Sequence, residues 1–267
     1  MTVPQPHPSQ APVKRIGFLR ILNEEETIAA CLLSIAPVLD HIVITWSDTR
    51  DKSIQLARAW EKTLMDRHQC SLSFLPYPHH VVPPHSVNDL RTLPPENRID
   101  TYLNNGLDHI RSLFSGTPFY VTKVDGDQIY FTREMEQAFR MLKTPGECVS
   151  IHGHNTLVHQ NRFMLFKPGP INGGRDSLIC GMDNLPSFGI AAPYEIDTTP
   201  HPHCRSYPVP CWMHFMRKAK YHNVIRDFQE HEVMPLVQNG TLMEKYRSMV
   251  LPLLQETESP YARLRLD

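Results

Sequence analysis

The feature that most constrains this chain is the alternation in its first half. Short β-rich runs at about Ile16 to Leu22, His41 to Trp46, Ser71 to Leu75 and Phe119 to Val124 alternate with segments of helical apolar spacing. Those segments are Ile28 to Leu39, Lys52 to Arg67 and Ile99 to Phe114, the last carrying Leu103, Leu107, Ile110 and Leu113 on one stripe. A strand followed by a helix and another strand needs a crossover. The crossover that packs back onto its own sheet makes the strands parallel and puts helices on the faces. The expected fold is therefore α/β, a mixed, mostly parallel sheet flanked by helices. At 267 residues the chain fits one such domain, read here as residues 14–267 after a flexible segment 1–13.

Past the third strand, PYPHHVVPPHSVNDLRTLPPEN is too rich in proline for regular structure and reads as a surface loop, a candidate cover for a site. Further strands are expected at Glu147 to Ile151 and Arg162 to Phe166. An irregular stretch rich in Gly and Pro then runs to about Pro210, and His214 to Leu254 reads as predominantly helical.

The formal charge of −1 offers no general attraction for nucleic acid or an anionic membrane, so any anionic ligand has to be held locally. No run approaches the roughly 20 apolar residues that span a bilayer, and MTVPQPHPSQAP lacks the apolar core of a signal peptide. A cytoplasmic location is expected, with at most peripheral membrane contact through MVLPLLQ and the terminal YARLRLD. The six cysteines show no CxxC pairing and read as reduced, mostly buried thiols. TTPHPHCRSYP groups His201, His203 and Cys204, but it lacks a second ligand pair at finger spacing, so no structural zinc is assigned.

The sharpest chemical signal is Asp125, Gly126 and Asp127, placed directly after an apolar strand. In an open parallel sheet, ligands bind beyond the carboxyl ends of the strands, so acids there point into the crevice. Two carboxylates flanking a glycine suit a hard divalent cation, Mn2+ or Mg2+, which also takes oxygens from a substrate's phosphates. An isolated D-G-D is more often a plain turn. Its place at the end of a buried strand favours the ligand role.

Three stretches carry a resemblance: RIGFLRILNEEETIAACLLSIAP, HIVITWSDTRDKSIQLA and YVTKVDGDQIYF. Over roughly residues 14 to 135 the chain resembles the GT-A glycosyltransferases, in particular the broad family 2 type. The resemblance implies a Rossmann-like GT-A fold with a nucleotide-sugar-binding half at 14–135. An acceptor-binding half with a helical C-terminal part follows at 136–267. It also implies metal-dependent transfer of a sugar from a nucleotide-diphosphate donor, UDP-sugar favoured. The acceptor would be a glycan or glycolipid, as in bacterial surface polysaccharide or lipopolysaccharide.

The implied site follows residue by residue. Asn23 and Glu24, with Glu25, lie against base or ribose, unless Asn23 only caps a helix. Either Asp48 or Asp51 meets the base, and Asp51 can instead cap a helix. Arg98 and Asp100 reach the diphosphate or sugar, with an exposed salt bridge as the competing role. Lys123 reaches a phosphate, Gly126 lines the donor, and His214 completes a metal site with Asp125 and Asp127. Its alternative is a buried, hydrogen-bonded histidine. Asp176 or Asp183 supplies the general base of an inverting transfer, with Asp176 preferred because GGRD allows close approach of backbone and substrate. Trp46 and Trp212 read as core. Two other function classes stay open. A sugar-nucleotide nucleotidyltransferase would need a glycine-rich basic loop where this chain has NEEE. The other is a non-catalytic carbohydrate-binding module.

Overall fold

Strand β1 (Lys14–Ile21) places Ile16, Gly17, Phe18 and Leu19 in succession out of solvent, the pattern of a strand covered on both faces. The computed structural model describes residues 12–82, 90–159, 162–166, 177–191, 194–216 and 233–264. The expected alternation is present. β2 (His41–Trp46), β3 (Ser71–Pro76) and β4 (Phe119–Asp125) join β1 in the parallel order β3-β2-β1-β4. The helices are α1 (Ile28–Ile35), α2 (Ser53–His68), α3 (Ile99–Leu113) and α4 (Thr132–Met141).

Two apolar layers hold this sheet. Leu103, Leu107 and Ile110 of α3 pack against Ile16, Phe18, Val43, Phe119 and Val121. Burial of each such side chain stabilises by roughly 1.5–3 kcal/mol. Leu113, the last residue of the predicted stripe, is 47% exposed, so the buried stripe ends at Ile110. On the other face Cys31, Leu32 and Ile35 of α1 and Met135, Ala138 and Phe139 of α4 meet Leu19, Ile21, Ile42, Ile44 and Val124. Trp212 belongs to that core, with Trp46 packed partly buried against it, as read from the sequence.

Beyond β4 the sheet changes character. β9 (Leu178–Gly181) runs antiparallel to β4, β6 (Cys148–Ser150) antiparallel to β9, and β12 (Cys204–Ser206) parallel to β6. A second sheet has the order β14-β8-β7-β13-β5, from β5 (Gln128–Tyr130), β7 (Gly153–His159), β8 (Arg162–Phe166), β13 (Trp212–Met216) and β14 (Val233–Pro235). β10 (Phe188–Ala191) and β11 (Tyr194–Asp197) form a separate antiparallel pair.

Two expectations are corrected. The stretch up to Pro210 contains β9, β10, β11 and β12, strands of three or four residues. Runs that short are too brief to show a period. His214 stands on strand β13 rather than a helix, between Met213 and Phe215, which are buried at a period of two. Among the described residues of that region, helix is found in α5 (Gly240–Lys245) and α6 (Leu251–Glu256), joined by a π-helical turn at Tyr246–Val250. Leu242, Tyr246, Val250 and Leu254 pack there on Phe163 and Phe215 of the second sheet. Residues 1–11 of the segment read as flexible lie outside the described residues, and Val13 packs against the core. Among the described residues no helix is long and apolar enough to cross a membrane.

Candidate active site

The register of the parallel strands sets one row across the carboxyl edge. Arg20 of β1 stands opposite Thr45 of β2 on one side and opposite Asp125 of β4 on the other. Side chains alternate along a strand, so Arg20 shares the α3 face with Ile16 and Phe18, and Asp125 shares it with Lys123 and Val121. Asp125 is gripped from both neighbours: Arg20 Nη2 donates to its Oδ1 at 3.1 Å and Lys123 Nζ to its Oδ2 at 3.2 Å. The Lys123 side chain is only 6% exposed, so this is a largely buried ion pair in which the carboxylate orientation is fixed. Burial pushes the Tyr102 phenol of α3 up, and Arg20, Glu24 and Asp125 all act on it, which sets this hydroxyl beside the row.

The Gly126 turn is strapped to the start of α1. A Cβ at Gly126 would lie 3.2 Å from Glu24 Cγ and 3.4 Å from Ile28 Cδ1, so glycine is what lets the turn press this close. The Thr27 hydroxyl donates to the Gly126 carbonyl at 2.9 Å and the Cys31 thiol to the Asp125 carbonyl at 3.5 Å. Burial drives the Cys31 thiol well up, and the charges of Asp127, Asp125 and Glu24 push the same way.

Asp127 is 3% exposed and faces the second sheet. Its Oδ2 lies 3.2 Å from Nε2 of His214, and its carbonyl accepts from the Phe215 N–H at 2.8 Å. On β13, His214 stands opposite Gln128 of β5 and Asn155 of β7. Asn155 Oδ1 lies 3.0 Å from His214 Nδ1, and in the tautomer that carries its proton on Nδ1 the Nε2 lone pair is on the Asp127 side. A carboxylate oxygen and an imidazole nitrogen at that spacing are a pair that a shared cation satisfies. One oxygen and one neutral nitrogen suit Mn2+ or Mg2+, so these residues fit the ion. The Tyr130 hydroxyl fixes the backbone between the two acids, accepting from the Asp125 N–H at 3.4 Å and donating to Gln128 Oε1 at 2.7 Å.

The remaining predicted residues divide. Glu24 joins the cluster, 3% exposed, its carboxylate accepting from the Leu22 N–H. Asn23 adopts φ 60°, a left-handed conformation asparagine tolerates, and its Oδ1 accepts from the Arg50 N–H at 2.7 Å. Asp51 holds loops together: Oδ1 accepts from the Ser53 N–H at 2.9 Å and Oδ2 from the Glu25 N–H at 2.9 Å. Asp48 is paired with the His80 ring at the edge of the proline-rich loop. Arg98 grips Asp100 through two hydrogen bonds of 3.2 and 3.1 Å, and Asp100 is 8% exposed, so the pair is not a loose surface bridge.

Asp183 falls at the wrong end. β9 is antiparallel to β4, and Gly181 pairs with Tyr120. At a rise of roughly 3.3 Å per residue, Gly181 is already about 16 Å along the strand from Asp125, and the exposed Asp183 follows it beyond that end. Asp176 lies outside the described residues. Sequence reasoning missed Arg20 and Asn155. Arg20 left a signal, a cation two positions after Phe18 in an apolar strand. Asn155 left none, because the β7–β13 pairing that makes it a neighbour of His214 is non-local.

No protein-family model matches the chain. No curated protein matches it either. Among solved structures it is similar to glucosyl-3-phosphoglycerate synthase from Mycobacterium tuberculosis in complex with Mn2+, uridine-diphosphate-glucose and phosphoglyceric acid. That likeness has 15% identity and a TM-score of 0.45, over 93% of this chain and 81% of that one. The same enzyme with Mn2+, uridine-diphosphate and phosphoglyceric acid gives 14% and 0.43, over 91% and 78%. A nucleoside-diphosphate-sugar pyrophosphorylase from Vibrio cholerae RC9 gives 10% and 0.29, over 80% and 78%. At scores this low the likenesses carry no residue role or activity to this chain.

Proposed function

We propose that this chain is a metal-dependent glycosyltransferase of the GT-A type, moving a sugar from a nucleotide diphosphate, UDP-sugar favoured, to a hydroxyl of a glycan or glycolipid. The observation that carries the reading is the meeting at 3.2 Å of His214 on β13 with Asp127, which stands in the turn between β4 of the main sheet and β5 of the second. Asp125, Asp127 and His214 would hold the Mn2+ or Mg2+, which supplies charge neutralisation on a departing diphosphate.

The chain's own residues do the rest. Asn155 keeps the His214 lone pair aimed, and Arg20 and Lys123 hold Asp125 rigid while adding positive charge beside the diphosphate. Glu24 and the Asn23 turn sit next to Asp125 and Asp127 on the side assigned to ribose and base. The acceptor hydroxyl needs a carboxylate to take its proton, and Asp176 is that residue in this reading. In its support, the chain enters β9 at the Asp125 edge, since Ile179 pairs with Thr122 and β9 runs away from that edge. A cytoplasmic enzyme of bacterial surface polysaccharide or lipopolysaccharide synthesis is the setting that completes the reading.

The test is a screen of nucleotide sugars for slow hydrolysis with and without Mn2+. Release of a nucleoside diphosphate from at least one donor, dependent on the cation and lost in Asp127→Ala, is expected. Binding without turnover for every donor would favour a carbohydrate-binding module. Release of pyrophosphate from a nucleoside triphosphate and a sugar phosphate would favour a nucleotidyltransferase.

A further inference from the structure

A second cluster of ligating side chains lies in the main sheet, away from the acid edge. Cys204 of β12 stands opposite Cys148 of β6, and Cys148 opposite Cys180 of β9, so three cysteines form one row across adjacent strands. Cys148 and Cys180 belong to one apolar layer, with Cys204 packed against it. The sulfurs of Cys148 and Cys180 are 3.6 Å apart and those of Cys148 and Cys204 3.0 Å apart. His201, one turn before β12, closes the group: one donor atom from each of Cys148, Cys180 and His201 lies within 4.8 Å of the others.

The histidine is oriented from behind. Its Nε2 meets the Asp197 carboxylate, whose side chain is 0% exposed and whose Oδ1 accepts from the Ser187 and Thr199 N–H groups at 3.2 and 2.8 Å. That leaves Nδ1, which is buried and has no hydrogen-bond partner, in a ring 9% exposed. A buried ring nitrogen without a partner is costly, and a metal ion would satisfy it. A carboxylate behind one nitrogen of a metal-binding histidine is the arrangement that fixes the tautomer in zinc sites.

We propose that Cys148, Cys180 and His201 bind a structural Zn2+ ion, with Cys204, whose sulfur is 3.0 Å from that of Cys148, turning outward to become the fourth ligand and Asp197 positioning the histidine. The chemistry is distinct from that of the acid edge. Three soft sulfurs and one nitrogen select zinc, whereas Mn2+ and Mg2+ prefer oxygen. A tetrahedral ion with Zn–S bonds of about 2.3 Å places its sulfurs roughly 3.8 Å apart, close to the Cys148–Cys180 spacing and within reach of the other pair. Three thiols lose their protons to solvent on binding, and the closed four-ligand set leaves no open position, so the role is structural. The location explains the need. β6, β9 and β12 have three, four and three residues and come from distant parts of the chain, so few ladder bonds hold them. One ion would tie all three strands together and, through Asp197, the β10–β11 pair.

The test uses the full chain, grown with zinc, purified under reducing conditions and dialysed against a mild chelator that strips the weaker acid-edge ion. Elemental analysis should find about one zinc per chain, retained in Cys70→Ser and lost in Cys180→Ser. Because Cys180→Ser could misfold, the wild type is also refolded with Co2+, where thiolate-to-cobalt charge transfer and intense tetrahedral d–d bands are expected. Asp197→Asn should weaken zinc by roughly 10–100-fold in chelator competition. A folded, reduced wild-type protein that holds no zinc and gives only octahedral cobalt spectra overturns the proposal. So does a count, without reductant, two thiols short of the six in the sequence, which would mean a Cys148–Cys204 disulfide.

Discussion

The two halves of the main sheet are built in opposite ways. β3, β2, β1 and β4 are parallel, six to eight residues long, and all but β4 join through one helix to a neighbour in the sheet. β9, β6 and β12 are three or four residues long and gathered from residues 148–206 in an order unrelated to the chain. The first half presents charged oxygen and nitrogen groups at its carboxyl edge. The second buries a row of sulfurs. Long local strands stand on their own apolar faces and can carry an exposed polar edge. Short non-local strands bury too little for that and need another tie.

The acid edge is where the two building styles meet, since Asp127 follows β4 while His214 and Asn155 belong to the non-local second sheet. The largest effect should come from Asp127→Ala, which removes the carboxylate from that junction. Turnover of the donor found in the hydrolysis screen should fall by ~10^3-fold or more, about 4 kcal/mol of barrier. If turnover survives, the junction is not the site. Asn155→Ala should cost less, roughly 10–100-fold in Mn2+ affinity by calorimetric titration, because it acts only through His214. An unchanged affinity would assign the site to the parallel half alone.

A smaller effect, read by pH, comes from the second sheet. Burial, with His152 and Lys245 adding to it, depresses the His154 ring on β7 from 6.5 to about 4. Between those values the unfolded chain binds a proton that the folded chain excludes, so stability falls as pH falls, by at most about 1.4 kcal/mol per unit. Urea unfolding of His154→Gln at several pH values should show a flatter loss than wild type. The smallest effect is expected for Asp183→Asn, less than ~2-fold in turnover, because its strand carries it to the opposite end of β4. A large loss there would move the catalytic edge.

Legibility followed the same division. The parallel half could be read from its apolar runs, because each strand and helix announces itself within a window of ten to sixteen residues or fewer, and Asp125 and Asp127 came with it. His214 was found by residue type, yet on the wrong element: WMHFM alternates over only five residues, and the strands it pairs with are remote in sequence. Asp51 and Asp48 look like ligands in sequence. Asp51 accepts from the Ser53 amide, the capping role its position also offered, and from the Glu25 amide, while Asp48 meets His80, a pairing that only the folded loop reveals. The cysteine row was invisible for the same reason as Asn155: residues 148, 180 and 204 become neighbours only through strand pairing.

The central claim is that one divalent ion is held by Asp127 and His214 where β4 of the main sheet gives way to the second sheet. Titration of Mn2+ followed by electron paramagnetic resonance, with UDP present, tests it directly in wild type and His214→Ala. One UDP-dependent Mn2+ site is expected in the wild type, weakened roughly 10–100-fold in the variant. Equal Mn2+ binding by both proteins, or none by either, would contradict it.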